Sequence, residues 1–309
     1  MKIIKEYGYF YSFKNFLQDT FGTKVYKITI DAGFTCPNRK EGKGCLYCDA
    51  NGSGNALYKQ GYSIEEQIEK GIKFLKKRYK AKKFIAYFQA YSNTYDTVNN
   101  LKKKYDVIKK YEDIVGLSIG TRPDCIDEKK LELISSYTKD YQVWLELGMQ
   151  TSNDAVLKFI NRGHNWKIAI DALKLANKYP LLICLHFIIG LPHDKFEFVL
   201  RGIKECLKVG FKGIKLHNLY ITKDAPLYEL FIKGKINLIS YEEYLNDVCD
   251  VIEILPQDIV IQRLIGEGQR NKLVAPLWSL KKSKFLQDVK NELIKRKSYQ
   301  GKKFYKFVK

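Results

Sequence analysis

The sequence has no apolar run long enough to cross a membrane. Its longest strongly apolar stretch, residues 181–191, is strand-length and is interrupted by His186, whereas a transmembrane helix needs roughly 18 or more apolar residues. The first eleven residues carry lysines but no apolar segment before a small-residue cleavage site, so no signal peptide is predicted. These absences predict a cytoplasmic protein that does not contact a membrane.

Cysteine and proline are also scarce, with seven of each among 309 residues. An odd number of cysteines in a long chain argues against a disulfide framework. Three of the cysteines fall within thirteen residues, and the other four are scattered. Cys184, Cys206 and Cys249 stand in apolar patterns, which predicts that they fill the core. Cys125 follows a predicted strand, on the side of the sheet where an active site is expected.

Acidic residues are too few to balance the basic ones, since 34 Asp and Glu stand against 54 Lys and Arg and leave a net charge of +20. Such a charge attracts polyanions, nucleic acid first, although a sequence rich in Lys, Ile, Asn and Tyr also fits an AT-rich genome. Residues 281–309 hold eleven basic and two acidic residues with aromatic residues between them, which suits phosphates and unstacked bases. A solvated amphipathic helix over residues 277–296 would explain the first half of this segment equally well.

Short β-rich segments alternate with helical ones along the first two thirds of the chain. Six such segments predict strands: residues 25–30, 83–89, 114–120, 142–148, 181–189 and 213–220. Helical periodicity separates them, and three helices begin at predicted caps: Ser63, Asp127 and Ser240. Strands that alternate with helices form βα units with a parallel sheet.

Six βα units favour an open barrel over a closed one, because a closed eight-stranded barrel needs about 250 residues and two further units. A doubly wound sheet fits the same pattern. The predicted fold is therefore α/β, a partial (β/α)6 TIM-like barrel over residues 25–220. Residues 1–24 form a helical lead-in, and residues 221–309 form an α/β extension with a strand at 258–264, a basic helix and a tail.

The three clustered cysteines, Cys36, Cys45 and Cys48, lie in one loop after the first predicted strand, with the spacing C-x8-C-x2-C. Three thiolates can hold three corners of a [4Fe–4S] cluster, whereas structural clusters use four cysteines. The missing ligand leaves one iron open, as in catalytic metal sites, and the end of a barrel strand is where active sites form. A zinc site would need Cys125 or His164 as a distant fourth ligand. A thioredoxin-like pair of Cys45 and Cys48 lacks the helix that carries such motifs.

The chain around this loop resembles the radical S-adenosylmethionine (SAM) proteins named after YhcC and YtqA, relatives of the catalytic subunit of Elongator. The matching segments run in order along nearly the whole chain: residues 13–39, 44–54, 87–95, 116–127, 145–164, 186–194, 215–227 and 262–279. The resemblance implies a [4Fe–4S] cluster on the three cysteines, with SAM bound to the open iron. Reductive cleavage of SAM would then yield a 5′-deoxyadenosyl radical, with a low-potential electron donor such as flavodoxin or ferredoxin.

The same resemblance implies roles for residues that follow the first three strands. Tyr47 would pack on the adenine of SAM, and Gln89 and Tyr91 would hold its amino group. Arg122 would neutralise the SAM carboxylate or bind a substrate phosphate. An ion pair with Asp124 would account for Arg122 equally well.

Residues of the later strands complete the implied cofactor site. Glu146 would accept hydrogen bonds from the ribose hydroxyls, with Gln150 beside it. Further contacts to cofactor or substrate are implied on the loops that follow: Arg162, His164, Gly190 and Leu191. His186 and His217 lie on predicted strands, where a single histidine is more often a hydrogen-bonded core residue than a catalyst.

The substrate implied by the resemblance is tRNA, through the kinship with Elongator and the basic tail. The YtqA branch points to the side chain at carbon 5 of a wobble uridine. Two alternatives stay open: a radical SAM enzyme that acts on a small metabolite or a protein, and a non-catalytic Fe–S or zinc-bearing RNA-binding protein. Salt-sensitive tRNA binding would separate the tRNA and metabolite alternatives, and SAM cleavage would separate an enzyme from a binding protein.

Overall fold

A seven-stranded parallel sheet forms the body of the protein in a computed structural model that describes residues 6–40, 42, 44–52, 54 and 56–305. Its strands stand in the order β1-β2-β3-β4-β5-β6-β8. The strand bounds are β1 Val25–Ile30, β2 Lys83–Phe88, β3 Ile114–Thr121, β4 Gln142–Gln150, β5 Leu182–Ile189, β6 Gly213–Asn218 and β8 Val260–Arg263. A separate antiparallel pair joins β7 Ile221–Thr222 to β9 Leu273–Ala275.

The strand order decides between the two predicted architectures. The strands of this sheet stand in the order in which they occur along the chain, with only β7 left out. In a doubly wound sheet that order would reverse. The predicted partial barrel is therefore confirmed, and all six predicted strands form within three residues of their expected ends. The strand expected in the C-terminal extension also forms, and it joins the same sheet beside β6. The boundaries predicted after residues 24 and 220 stay predictions.

Helices cover the outside of the sheet and connect its strands. The α-helices are α1 Phe13–Phe21, α2 Pro37–Lys40, α3 Ile64–Tyr79, α4 Val98–Tyr105, α5 Glu128–Ser136, α6 Asp154–Phe159, α7 Trp166–Ala176, α8 Phe196–Val209, α9 Leu227–Ile232, α10 Tyr241–Ile254 and α11 Lys282–Lys295. Short 3₁₀ helices span Tyr58–Gln60, Asp106–Lys110, Pro123–Cys125, Tyr137–Lys139 and Leu277–Leu280. The predicted caps are confirmed: Ser63, Asp127 and Ser240 each accept a hydrogen bond from the third residue of their helix. None of the helices in these described ranges has both the length and the apolar character that crossing a membrane demands.

Helix α1 closes the end of the barrel where the strands begin. Phe13 and Phe16 pack edge-on against the fully buried Trp144 of β4, with ring centroids 5.7 and 5.4 Å away. At the start of the helix, Ser12 bridges to Ile261 of β8. The helix thus spans the seam between β1 and β8, the two edges of the open sheet. Across the seam, Lys27 Nζ donates to Gln262 Oε1 at 3.0 Å.

The inward side chains of the barrel form layers, because alternate residues of a strand face the same side. The layer above Trp144 is polar and interconnected: Lys27, Tyr87, Ser118, Glu146, His186 and Lys215. Two residues further along the strands, the next layer lines an open cavity: Gln89, Gly120, Gly148, Ile188 and His217. Outward side chains pack against the helices in one large apolar core. The sheet therefore carries polar chemistry inside the barrel and apolar packing outside it.

The basic C-terminal segment is an amphipathic helix followed by a packed tail. Phe285, Val289 and Leu293 are fully buried on one face of α11. After the helix, Gln300 donates to the carbonyl oxygens of Pro256 and Ile259. Ile259 is the residue directly before β8. The tail therefore lies at the end of the barrel opposite the cavity. The last part of the predicted tail, residues 306–309, lies outside the described residues.

Candidate active site

The three clustered cysteines line a cavity of about 220 Å³ at the carboxyl ends of the strands, called the main cavity here. Cys36 follows β1 and begins the turn into α2, where the backbone N–H of Arg39 bonds to its carbonyl oxygen at 2.9 Å. Cys45 and Cys48 close a second turn, with the N–H of Cys48 donating to the carbonyl of Cys45 at 3.0 Å. The structure thus brings all three predicted ligands to one cavity.

Nitrogen donors surround the sulfur atoms of these cysteines. Arg122 Nη1 lies 3.4 Å from Cys36 Sγ, and Asn38 Nδ2 lies 3.4 Å from Cys45 Sγ. Arg162 Nη1 is 3.8 Å from the same Cys45 sulfur. Donors of this kind favour the thiolate, which is the form that binds iron. Burial, with Cys45 nearby, raises the pKa of the Cys48 thiol to about 11, and a bound metal deprotonates such a thiol outright.

These residues fit a [4Fe–4S] cluster on three cysteines. Within residues 6–40, 42, 44–52, 54 and 56–305, no three His, Cys, Asp or Glu side chains approach closely enough to share a single metal ion. A cubane does not require that, because each cysteine binds a different iron of the cluster. His164, the distant residue considered for zinc, has both ring nitrogens engaged: Nε2 accepts from Arg162 Nε at 3.1 Å, and Nδ1 lies 3.2 Å from the Asn165 carbonyl. Burial and the Arg162 guanidinium lower the pKa of His164 to about 3, so its ring is neutral.

Arg122 and Arg162 are buried, lie next to the cysteines and also donate to other groups of the protein. Arg122 forms a two-point ion pair with Asp124, through Nε at 2.9 Å and through Nη2, so the ion pair is confirmed and its contact with the SAM carboxylate or a substrate phosphate stays a prediction. Arg162 donates to the Gly148 carbonyl at 2.8 Å and to the Tyr47 hydroxyl at 3.1 Å. A Cβ atom on Gly148 would lie 2.5 Å from Arg162 Nη2, so a larger residue there would require the guanidinium to shift. The packing of Tyr47 on adenine stays a prediction.

Three predicted cofactor residues lie where strands end at the main cavity: Gln89, Tyr91 and Gln150. Tyr91 and Gln150 have left-handed backbone conformations, with φ of 61° and 70°. A non-glycine residue in this region costs free energy and is typical of functional sites. The Tyr91 ring packs against Gly52, where a Cβ atom would approach it to 2.5 Å, and its hydroxyl donates to the Ala50 carbonyl at 2.8 Å. The main-chain bends aim these side chains at the cavity, and their contacts with SAM stay predictions.

Gly190 and Leu191 lie elsewhere. They line a second cavity of about 350 Å³ between the end of β5 and the segment that leads into α10. Gly190 has a φ of 84°, and a Cβ atom there would lie 2.7 Å from a methyl carbon of Ile239. The structure does not bring these two residues together with the rest of the predicted site.

Glu146 lines the main cavity, but both of its carboxylate oxygens already accept several hydrogen bonds. One oxygen accepts from Lys27 Nζ at 2.7 Å and from Ser118 Oγ at 2.6 Å. The other accepts from Tyr87 and His186, both at 2.8 Å, and from Lys215 Nζ. A ribose would have to displace one of these donors. Its predicted role in cofactor binding therefore stays a prediction, and its observed role is that of a buried counter-charge.

The charges around Glu146 set the protonation of its neighbours. Burial alone would raise the pKa of Glu146, but Lys215, Lys27 and His186 together hold that pKa well below its usual range. Burial lowers the pKa of Lys215 to about 7, with Glu146 opposing the shift. Burial and Lys215 likewise lower the pKa of His186 to about 4, so its neutral ring donates Nε2–H to Glu146. His217, which also lines the main cavity, differs, since its buried Nε2 has no hydrogen-bond partner among the described residues.

The sequence reasoning missed the partners of Glu146. Lys27 and Lys215 each interrupt an apolar strand at an inward position. A charge in such a strand requires a partner, and the argument that singled out Glu146 applies equally to both lysines. Arg263, at the end of β8, also lines the main cavity and was not predicted. The four scattered cysteines are all buried, as expected for Cys184, Cys206 and Cys249.

Known proteins and protein families match nearly the whole chain. Residues 33–199 match the Radical SAM superfamily, and residues 211–295 match the Radical_SAM C-terminal domain. YtqA of Bacillus subtilis is 34% identical over 292 residues, which cover 93% of this chain and 90% of YtqA. The tRNA uridine(34) acetyltransferase of Methanocaldococcus jannaschii is 28% identical over 153 residues, 48% of this chain and 28% of that protein. Among solved structures, Methanocaldococcus infernus Elp3 aligns with a TM-score of 0.67 at 18% identity, covering 91% of this chain and 67% of that one.

Proposed function

Since this chain belongs to the radical SAM superfamily and, within it, to the family of YtqA and YhcC, we propose that it modifies tRNA at the carbon-5 side chain of a wobble uridine. Its cofactors are a [4Fe–4S] cluster and SAM. When bound, the cluster supplies the electron that cleaves SAM and starts radical chemistry. The single observation that carries the proposal is a cavity in which three cysteines with nitrogen donors at their sulfur atoms meet the polar ends of six strands.

The chain's own residues prepare this site. Cys36, Cys45 and Cys48 would hold the cluster, and Arg122 and Arg162 would offset the negative charge of the thiolates. Gln89, Tyr91 and Gln150 would orient SAM from the strand ends. The apolar core and helix α1 close the end of the barrel where the strands begin. This closure limits the access of water to a radical.

The tRNA part of the proposal has two supports. The name of the M. jannaschii relative assigns that protein to uridine 34 of tRNA, and its similarity extends over about half of this chain. The mouth of the main cavity also carries exposed cations. Lys59 donates to the Ala50 carbonyl at 2.8 Å and lies over the Tyr91 ring. Exposed Arg270 adjoins Gln269, which donates to the Gly54 carbonyl.

Most of the basic surface expected from the sequence lies away from the main cavity, although α11 begins beside it, where Lys282 pairs with Glu267 of the cavity wall. The C-terminal end of α3, with Lys76, Lys77 and Arg78, precedes the start of β2, and the tail packs at the start of β8. Several cations of α11 and the tail are also paired with carboxylates: Lys282, Lys284, Lys295, Arg296 and Lys303. We therefore assign tRNA contact to the cavity mouth instead of the tail.

Nucleoside mass spectrometry of total tRNA tests the proposal. A deletion strain should lose one modified uridine, and a plasmid with the parent gene should restore it, whereas a Cys45→Ala gene should not. An unaltered nucleoside profile in the deletion strain would remove tRNA as the substrate. SAM cleavage by the purified, reconstituted protein would then still identify it as a radical SAM enzyme, because the two properties depend on different residues.

A further inference from the structure

A small chamber extends from the main cavity into the seam of the barrel. It has a volume of about 120 Å³ and lies between β1, β2, β6 and β8, and we call it the inner chamber. Tyr87, Gln89 and Arg263 line both the inner chamber and the main cavity. The two spaces therefore adjoin at these three side chains. Below it, Phe13 of α1 closes the seam.

The described walls of the inner chamber hold three cations and no carboxylate: Lys27, Lys215 and Arg263. The side chain of Lys215 is only 4% exposed and that of Lys27 is 18% exposed. Glu146 contacts both lysines from outside the chamber, so one negative charge faces two ammonium groups. Arg263 forms no ion pair with any carboxylate in the described part of the chain. Positive charge therefore exceeds negative charge in a largely buried space, which is costly unless an anion enters it.

An unused hydrogen-bond donor points to the same conclusion. Gln262 Oε1 accepts from Lys27 Nζ at 3.0 Å. An ammonium group can only donate, so this contact fixes which end of the amide is the oxygen. Gln262 Nε2 is then buried and has no acceptor among the described residues. A buried amide N–H₂ calls for an acceptor oxygen; water would provide one but would not balance the charge.

We propose that the inner chamber binds the anionic group, a carboxylate or a phosphate, of a small organic substrate whose remaining atoms lie in the main cavity. Arg263 and Gln262 both line the chamber and carry planar N–H donors suited to an anion, and Lys27 and Lys215 supply the charge. A tRNA phosphodiester cannot be this ligand, because its backbone continues on both sides and a chamber of about 120 Å³ has no room for the flanking nucleotides. The ligand is a second substrate of the proposed tRNA-modifying site, and in that respect the proposal rests on the proposed function.

Isothermal titration calorimetry of the reconstituted full-length protein tests the proposal, with acetate, succinate and inorganic phosphate as probes at constant ionic strength. We expect at least one probe to bind with one-to-one stoichiometry. Arg263→Gln should weaken it about tenfold or more, since it removes a charge-assisted hydrogen bond, and Gln262→Leu should weaken it in the same direction. Arg78→Gln, the same change at an exposed position on the far end of the barrel, should leave the affinity unchanged.

The three probes separate the possible ligands. Preference for acetate or succinate would identify a carboxylic acid, and preference for phosphate would identify a phosphate monoester. The proposal is overturned if no probe binds, or if Arg263→Gln and Gln262→Leu proteins with intact cluster absorbance bind as the parent does. This outcome is independent of the tRNA nucleoside profile, so anion binding without altered tRNA would refute the proposed function alone.

Discussion

At the scale of single residues, the cysteines divide into two groups by their surroundings. Cys36, Cys45 and Cys48 share the main cavity, whereas Cys206 and Cys249 are fully buried among apolar side chains. Cys45→Ala should abolish the cluster after anaerobic reconstitution, because two thiolates cannot replace three. Cys206→Ala should retain about four irons and four sulfides, measured by iron and sulfide analysis and by visible absorbance. Stoichiometric zinc without iron in the parent protein would contradict this assignment.

The second prediction for single residues concerns the effect of Glu146 on the stability of the fold. Glu146→Gln leaves Lys27 and Lys215 without their counter-charge, and breaking a buried ion pair costs about 3–5 kcal/mol. Urea unfolding should show this loss. Adding Lys215→Met should recover part of it, because it removes the more deeply buried of the two unpaired ammonium groups and leaves Lys27, which is 18% exposed.

The same variants test the ribose role predicted from the sequence. If Glu146 also binds SAM, the double variant should regain stability and still bind SAM more weakly than the parent, by equilibrium dialysis. A double variant with parental SAM affinity would leave Glu146 as a structural counter-charge alone. Unchanged stability in Glu146→Gln would instead mean that the two lysines do not depend on the carboxylate.

At the scale of elements, α10 carries three acidic residues on one face: Glu243, Asp247 and Asp250. Burial, reinforced by the other two carboxylates, raises the pKa of Asp247 to about 7. The folded state keeps this proton at a pH where the unfolded chain has lost it. Folding stability is therefore not reduced by Asp247 below about pH 4, and it decreases as the pH rises towards about 7, where the buried carboxyl loses its proton.

Asp247→Asn removes the charge and should stabilise the protein only above that range. At pH 8 we expect a gain of about 1 kcal/mol after allowance for partial exposure, or roughly 2 °C in melting temperature. At pH 4 the two proteins should melt together. Glu242→Gln, at an exposed position of the same helix, is the control and should show no such difference between the two pH values. Equal gains for Asp247→Asn at both pH values would rule out a titration effect.

At the scale of the whole molecule, the net charge of +20 includes exposed cations both at the cavity mouth and at the opposite end of the barrel. If tRNA binds at the cavity mouth, the double variant Lys59→Gln/Arg270→Gln should lose two phosphate contacts. Each duplex phosphate contact contributes about 0.9 to the slope of log affinity against log salt, so this slope should become flatter by about two. Lys297→Gln with Lys302→Gln removes the same charge at the opposite end and should leave the slope nearly unchanged. The reverse result, measured by filter binding, would return tRNA contact to the tail.

Much of this architecture could be predicted from the sequence because its signals are local. Short β-rich runs of six to nine residues located six strands, and caps such as Ser63 and Asp127 located helix starts. The spacing of three cysteines in one loop, with the segments around it, identified the family and its cofactors. Each of these properties is set within a few turns or strands of chain, so no long-range contact is needed to read it.

The tertiary structure alone decided which distant residues meet. Lys27 and Glu146 are 119 residues apart, yet strand register places them in one layer of the barrel. The inner chamber exists only because β8, expected in a separate extension, joins the sheet and faces β1 across the seam. The placement of the tail opposite the cavity, and of Gly190 in a second cavity, likewise follows from packing. Periodicity shows which face of a strand is buried, but it does not show which strands become neighbours, and the chemistry of this site depends on those neighbours.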